Sequence, residues 1–225
     1  MPTALIDGDP LCYRAAAACE NETLEMAKYR LDGLYSDTIM LCDHDDVFYN
    51  DWKIFVTGKG NFREQIATTA VYKGNRSAPK PKHLYELRDY SVERWKAMKS
   101  IDQEADDDIV IAKQDGDIIC SVDKDFKQSA GWHYNYVKRE HFYVNEDEAI
   151  RFFYSQILMG DSADNIIGIY NVGPVKASKM LKDCTTEKEM YNVCVEAYNS
   201  AERVLENARL LWLRRHENEM WEPPK

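Results

Sequence analysis

No stretch of this 225-residue chain approaches the ~20 consecutive apolar residues that cross a bilayer. The opening MPTALIDGDP has neither a basic n-region nor an apolar h-region and runs straight into a strand-like segment. Membrane insertion and export are therefore not expected, and the cytoplasm is the expected compartment. No C-x-x-C pair occurs among the six cysteines (Cys12, Cys19, Cys42, Cys120, Cys184, Cys194), and none clusters with the five histidines at zinc-like spacing. They read as reduced, mostly buried thiols. Basic charge is also short: 29 Lys and Arg face 39 Asp and Glu, a net charge of −10. Phosphate binding ordinarily shows as a basic surface, so this total argues against a nucleic-acid partner unless acids and bases are gathered in different places.

What is present is a globular composition, 44% hydrophobic and 30% charged, enough for one sizeable core or a main domain with a small helical annex. The acids are indeed gathered. In QEADDDIVIA, residues 103–112, Glu104, Asp106, Asp107 and Asp108 precede an apolar run. A helix N-terminus accounts for one of them, because the free N–H groups and the backbone dipole there favour negative charge. Four exceed that need, since two unpaired carboxylates ~4 Å apart repel by roughly 4 kcal/mol at an effective dielectric near 20. A divalent cation is the economical compensation.

Along the chain, TALIDGDP has the pattern of a buried strand ending in acid, and the Ala-rich stretch that follows is helical in period. WKIFVTGKG reads as a second strand closed by a glycine turn, with NFREQI leading out. SAPKPK, 77–82, breaks regular structure, and HLYELRDYSVERWKAMKS resumes as a helix. EADDDIVIAKQDG predicts a helix of about three turns, DIICSVD a strand ending in acid, KDFKQ the start of another helix, and HYNYVKR a strand. NEDEAIRFFYSQILMG is an amphipathic helix, and everything after Asp161 looks helical. This alternation predicts an α/β fold with a mainly parallel central sheet flanked by helices, spanning 1–160, and a helical region over 161–225.

Ligands of such sheets lie at the carboxyl ends of the strands. Asp7 ends the first strand, Asp123 and Asp125 end a later one, and Glu104, Asp106 and Asp107 open the helix beside them. In MGDSADN, Asp161 and Asp164 sit three apart, so a helical turn puts them on one face. Each has an ordinary reading as a turn former, cap or surface acid. Their gathering at one rim favours a metal site.

A second constellation lies between Lys73 and Lys99, where eight basic residues (Lys73, Arg76, Lys80, Lys82, Arg88, Arg94, Lys96, Lys99) stand against three acids. Tyr72, Tyr85, Tyr90 and Trp95 are interleaved, a mixture that suits single-stranded nucleic acid. The alternative is an amphipathic helix whose aromatics face the core, and it is preferred for Tyr85 and Trp95. The third is GIYNVGPVKASKML, 168–181, where Gly168 and Gly173 flank a tight turn, Pro174 opens a helix, and Lys176 and Lys179 share a helical face. Such a turn offers backbone N–H groups to a phosphate.

LIDGD, YKGNR, EADD, SVDKDF, GDSADN and GIYNVGPVKASKML, in this order over residues 4–182, resemble the 5' nuclease superfamily of flap endonucleases, the 5' nuclease domain of bacterial DNA polymerase I and the bacteriophage 5'-3' exonucleases. The resemblance implies a PIN-like 5' nuclease core with a helical arch at about 73–100 and a C-terminal helix-three-turn-helix duplex clamp. It implies a two-metal phosphodiesterase using two Mg2+ or Mn2+ ions, one served by Asp7, Glu104, Asp106 and Asp107, the other by Asp123, Asp125, Asp161 and Asp164. Lys73 and Arg76 would polarise the scissile phosphate, Tyr72 would stack on a base, Lys80 and Lys82 would contact the strand, and the clamp would hold a K+ ion on backbone carbonyls. The implied substrate is DNA with a duplex and a 5' end or flap, extending to RNA-DNA hybrids, cut to 5'-phosphate products by a monomer in the cytoplasm, the host's if of phage origin.

One departure stands out. Where the family usually carries a further aspartate after the second strand, this chain has Thr57 and Gly58, which points to a weaker first metal site. Asp9 and Asp108 are extra acids left outside the metal shell. Asp7-Gly8-Asp9 also fits a haloacid-dehalogenase-type phosphatase, but Asn165 stands where that motif wants its later acid, and EADD would have no role. A PIN-type ribonuclease toxin would lack arch and clamp. A non-catalytic DNA-structure-binding protein would be better served by fewer carboxylates facing a phosphate.

Overall fold

The computed structural model describes residues 2–225. In chain order it contains β1 (Thr3–Asp7), α1 (Gly8–Ala18), α2 (Leu24–Leu41), β2 (Asp51–Lys59), α3 (Phe62–Ile66), α4 (Leu84–Trp95), β3 (Met98–Ile101), α5 (Ala105–Ala112) and β4 (Ile118–Cys120). A 3-10 turn at Lys124–Gln128 follows, then β5 (Gly131–Asn135), β6 (Glu140–Val144), α6 (Glu146–Met159), β7 (Gly160–Asp161), β8 (Ile166–Ile167), α7 (Pro174–Leu181), α8 (Glu187–Tyr198) and α9 (Ala201–Leu211). These fall into two compact units: Met1–Gly60 with Pro79–Phe126 and Gly131–Val144, and Asn61–Ala78 with Lys127–Ala130 and Asn145–Lys225.

The first unit is the α/β one. Its sheet runs β3-β2-β1-β4-β5-β6 and is parallel except for the β5–β6 hairpin. All five residues of β1 are buried, as a central parallel strand covered on both faces requires. Ala4, Ile6, Ile54, Val56, Ile118 and Cys120 pack against Leu11 and Ala15 of α1, Leu31 and Tyr35 of α2, and Leu84 and Leu87 of α4.

The second unit is built on α6. Phe153, Tyr154, Ile157 and Leu158 pack against Leu181 of α7, Cys194 of α8, and Val204, Ala208 and Leu211 of α9. Asn145 with Glu148 and Thr186 with Glu189 form capping boxes that start α6 and α8, and the side chain of Ser200 caps α9.

Several elements depart from the sequence expectation. The helix beginning at His83 stops at Lys96, which takes a left-handed conformation, and Met98–Ile101 becomes the edge strand β3. Two turns of helix, not three, form α5, and KDFKQ makes only a 3-10 turn. The region after Asp161 is not wholly helical. Gly160–Asp161 and Ile166–Ile167 make a small hairpin, and beyond Leu211 the chain is irregular and turns at Glu217 and Asn218, with Trp212 and Trp221 against Phe153 at centroid distances of 4.9 and 5.9 Å. The 79–99 segment is not an open arch throughout, because Leu84, Leu87 and Ser91 bury one face of α4.

Candidate functional site

At the carboxyl edge of the first unit's sheet, Asp7 closes β1 with only 2% of its surface exposed. Its Oδ2 accepts a 2.6 Å hydrogen bond from Ser121 Oγ, which accepts in turn from the Asp123 amide at 3.0 Å. One hydroxyl thus joins the ends of β1 and β4. Oδ1 of Asp7 is buried with no partner. Burial, then the negative charge of Asp9, push the Asp7 carboxyl up to about 8, with Ser121 opposing and Asp123 adding to the rise. A buried acceptor without a donor is costly, and a cation is what would satisfy it.

Gly8 is required at this turn. A Cβ there would lie 2.8 Å from the Phe55 carbonyl oxygen and the Tyr35 hydroxyl and 2.9 Å from Val56 Cγ1, so only glycine lets the chain pass from β1 into α1 this close to β2. Asp9, in the first turn of α1, reaches across. Its carboxylate accepts from the Thr57 amide at 3.2 and 3.1 Å and pairs with Arg88 Nε at 2.8 Å. Gly58 cannot carry a side chain, because a Cβ would fall 2.1 Å from the Ser100 carbonyl oxygen, at the irregular pairing between β2 and β3. The departure at Thr57-Gly58 is thereby built into the sheet.

The acids of α5 divide by task. Glu104 is the N-cap and Asp107 its capping-box partner, accepting from the Glu104 amide at 3.2 Å. Asp107 is fully buried, so two acids serve the helix start where one was thought enough. Asp108 accepts a hydrogen bond from the Gln103 side chain. Asp106 acts on Tyr136, whose phenol is raised well above its ordinary value by burial, then Asp7, with Arg14 opposing and Cys120 and Asp106 adding. Tyr136 also approaches the Asp7 carbonyl oxygen, to which its hydroxyl donates at 3.5 Å. Asp123 is exposed at the start of the 3-10 turn, where its Oδ1 accepts from the Asp125 amide at 2.9 Å; Lys124 Nζ stands 3.9 Å from Asp125. Among the described residues no three His, Cys, Asp or Glu form a ready-made metal cluster. The fit to a divalent ion in this unit rests on the orphaned, buried Oδ1 of Asp7 and an all-oxygen donor set suited to Mg2+ or Mn2+.

The second unit brings YKGNR onto GDSADN. The Lys73 amide donates to the Asp164 carbonyl at 2.8 Å, Asn75 Nδ2 to the Ser162 carbonyl at 2.6 Å, Arg76 Nε to the Ala163 carbonyl at 3.2 Å, and Asn165 Nδ2 to the Val71 carbonyl at 2.8 Å. The Asp164 carboxylate receives Tyr72 Oη at 2.8 Å and Arg76 Nη2 at 2.6 Å, with Lys73 Nζ at 3.7 Å. Lys73 and Asn165 both adopt left-handed backbone, which Asn tolerates better than most residues. Asp161, buried, accepts from the Ala163 amide at 2.7 Å. Asp161 and Asp164 are therefore borne by a β-hairpin turn and not by the helical turn expected from their spacing. Tyr72 is only 6% exposed and hydroxyl-bonded, which corrects the expectation that its ring stacks on a base.

In the same unit Gly173 caps α7, Pro174 follows at the first helical position, and Lys176 and Lys179 are exposed. Tyr170 and Val175 beside them are also exposed, a feature the sequence reading did not single out. Gly168 has another task. A Cβ there would meet the Met159 carbonyl at 2.0 Å, so it lets the hairpin close. In the first unit Lys80 and Lys82 are exposed, with Lys80 Nζ 5.7 Å from the Tyr85 ring centroid. Tyr85 faces solvent, against the preference stated for it, whereas Trp95 is half-buried and donates to Asp32 at 2.6 Å as a core-facing residue would.

A mostly parallel six-stranded sheet with acids at its carboxyl edge, followed by a helical unit with a glycine-opened helix, is the 5' nuclease fold. Three solved structures carry the likeness. Bacteriophage T5 5'-exonuclease with divalent zinc ions bound aligns at TM-score 0.73 and 16% identity, over 94% of this chain and 89% of that one. The bacteriophage T5 D15 flap endonuclease in a pseudo-enzyme-product complex with DNA and metal ions aligns at 0.69 and 17%, with the same coverage. The catalytic core of Rad2 in complex with DNA substrate aligns at 0.52 and 14%, over 92% of this chain and 71% of that one. No protein-family model matches the chain.

Proposed function

We propose that this protein is a divalent-metal-dependent 5'-3' exonuclease and structure-specific flap endonuclease, hydrolysing phosphodiester bonds near the 5' ends of duplex DNA. The observation that carries this reading is Asp7: a buried carboxylate at the sheet's carboxyl edge with one oxygen unpartnered, beside the acids Asp9 and Asp123. The DNA and metal ions in the T5 and Rad2 structures support it through the shared fold. In this reading Asp7, Glu104, Asp106 and Asp107 serve one Mg2+ or Mn2+ ion, with Glu104 and Asp107 acting largely through the start of α5 that they cap. Asp123 and Asp125 serve a second, to which the resemblance also assigns Asp161 and Asp164. Divalent ions supply a nucleophilic water at neutral pH and offset charge on the attacking and leaving oxygens.

The chain's own contribution is placement and charge. Ser121 fixes the Asp7 carboxylate through Oδ2 and leaves Oδ1 for a ligand. Lys73 and Arg76 offer cations to a phosphate, exchanging Asp164 for it as DNA arrives. The backbone N–H groups at Gly173–Val175, with Lys176 and Lys179, hold the duplex backbone without reading sequence, and carbonyls of that turn accept K+. Lys80 and Lys82 lie on the exposed approach to α4, where a single strand would pass. RNA-DNA hybrids enter as a further substrate, and the working form is a monomer.

The test compares a 5'-labelled flap, a nicked duplex, an RNA-DNA hybrid and a single strand, with Mg2+ and with chelator. Cleavage yielding 5'-phosphate ends from the flap and nicked duplex is expected, abolished by chelator and by Asp123→Ala with Asp125→Ala while the circular dichroism spectrum is kept. Equal activity in chelator, or in that double variant, rejects the reading.

A further inference from the structure

Asp9 does work that a helix cap or a surface acid does not explain. It lies in the first turn of α1, one residue beyond the Gly8 turn that follows Asp7. There it is held by three contacts, from the Thr57 amide to both its oxygens and from Arg88. Thr57 Oγ1 then accepts from the amide of Ala105, the first residue of α5, at 3.1 Å. A polar line therefore runs from Arg88 on α4, through Asp9 beside the buried Asp7, to the end of β2 and on to the helix bearing Asp106. An ion pair serving stability alone gains nothing from lying against a second buried carboxylate, where like charges repel. The same placement is useful if a cation binds at the unpartnered Oδ1 of Asp7.

We infer that Asp9 is a positioning residue of the Asp7 cation site, adding negative charge behind Asp7 and holding β2 and α5 around it, with Arg88 as its built-in counter-ion. The inference rests on the metal-dependent reading above. In it, Asp9 supplies the carboxylate that the strand end at Thr57 does not. Arg88 sets how strongly that charge is felt: it neutralises Asp9 while the site holds no ion and yields part of that pairing when one binds. Asp9 binds the ion through water and not directly, because both its oxygens are already engaged by Thr57.

Mn2+ binding, measured by the electron paramagnetic resonance signal of the free ion, tests this without recourse to cleavage. Asp9→Asn keeps an acceptor for the Thr57 amide and removes the charge. Because it leaves Arg88 half-buried and unpaired, it is paired with Asp9→Asn/Arg88→Gln, which is neutral at both positions. Both should weaken Mn2+ binding by about 10-fold or more, the scale on which outer-shell partners act, whereas Arg88→Gln alone should tighten it. Thr57→Asp, whose carboxylate can still accept from the Ala105 amide, should restore affinity in the doubly neutral variant. Wild-type affinity in Asp9→Asn/Arg88→Gln, with Asp7→Asn abolishing binding, overturns this inference and leaves the metal reading standing. Unchanged Mn2+ binding in Asp7→Asn overturns both.

Discussion

Asp7 and Asp164 are both strand-edge or turn carboxylates in acid-rich motifs, and they have been given opposite surroundings. Asp164 is saturated from within its unit by Tyr72, Lys73 and Arg76. Asp7 has the Ser121 hydroxyl and the Asp9 backbone N–H acting on it, one oxygen without a partner, and acids as neighbours. Burying a carboxylate without compensation costs several kcal/mol per ion, so a chain that keeps one must recover the cost from something it binds. Asp164 is compensated by donors and cations of the chain itself, whereas Asp7 has no such cation and meets its burial by holding a proton, its carboxyl pushed up to about 8. The two acids contribute to one activity in the proposed function, but only Asp7 is poised for an ion by the fold itself.

Replacing each by its neutral isostere breaks this contrast most directly. Asp7→Asn should remove cleavage by on the order of 10³-fold, corresponding to several kcal/mol of lost transition-state stabilisation. It should also abolish the rise in melting temperature that Mg2+ gives the wild-type protein. Without metal it should unfold no more readily than wild type, and by about 1 kcal/mol less readily, because wild type must take a proton onto Asp7, whose carboxyl is pushed up to about 8, when it folds at neutral pH. Differential scanning calorimetry with and without Mg2+ reads both effects. A metal-free Asp7→Asn protein that is markedly less stable would mean that Asp7 is a structural acid.

Asp164→Asn should do the reverse to the metal-free protein. It removes the charged acceptor that binds Arg76 and Tyr72, and so loosens residues 71–76 from the hairpin turn, at a cost of about 1–3 kcal/mol. Chemical denaturation should show the loss, and a double cycle with Arg76→Ala should show coupling between the two positions. Equal stability in Asp164→Asn and wild type would erase the distinction between the two acids.

The contrast was only half legible in the sequence. The buried strands β1 and β4 and the buried middle of β2 announce themselves as apolar runs closing on a turn or an acid, and parallel order follows from the alternation with helices. The edge strands β3 and β6 do not. Met98, Lys99 and Ile101 are exposed and only Ser100 is buried, so no apolar pattern marks β3, and the stop at Lys96 lacks the glycine that usually signals one. The acids could be named individually, since each has a definite chemistry. Their partners could not, because Arg76 and Asp164 lie 88 residues apart and nothing local couples YKGNR to GDSADN. The same separation hides the partner of Tyr72: beside a lysine and a glycine an aromatic looks available to a base, and only the fold reveals the carboxylate that its hydroxyl meets. Asp9 carries no hint in its local sequence of its partners Thr57 and Arg88.

The smallest expected effect sharpens the comparison by supplying a second saturated acid, one to which no metal role is assigned. Glu206 of α9 binds the Thr68 and Thr69 amides, each at 2.7 Å, the Thr69 hydroxyl at 2.6 Å and Arg203 at 2.7 Å, tying residues 68–69 to the helix. Burial alone would raise its pKa, but the bonds from Thr69, Thr68 and Arg203 outweigh it and bring the carboxyl down to about 2. A folded-state pKa below the unfolded value adds stability above the unfolded value, near 4.5, and that stability is lost as pH falls toward 2. Glu206→Gln should therefore cost about 1–2 kcal/mol at neutral pH, discounted for solvent screening, and progressively less below pH ~4.5. Urea denaturation of both proteins between pH 7 and pH 3 measures this convergence. A stability difference independent of pH would show that Glu206 acts through shape and not through charge, and would leave Asp164 as the one acid whose saturation is electrostatic.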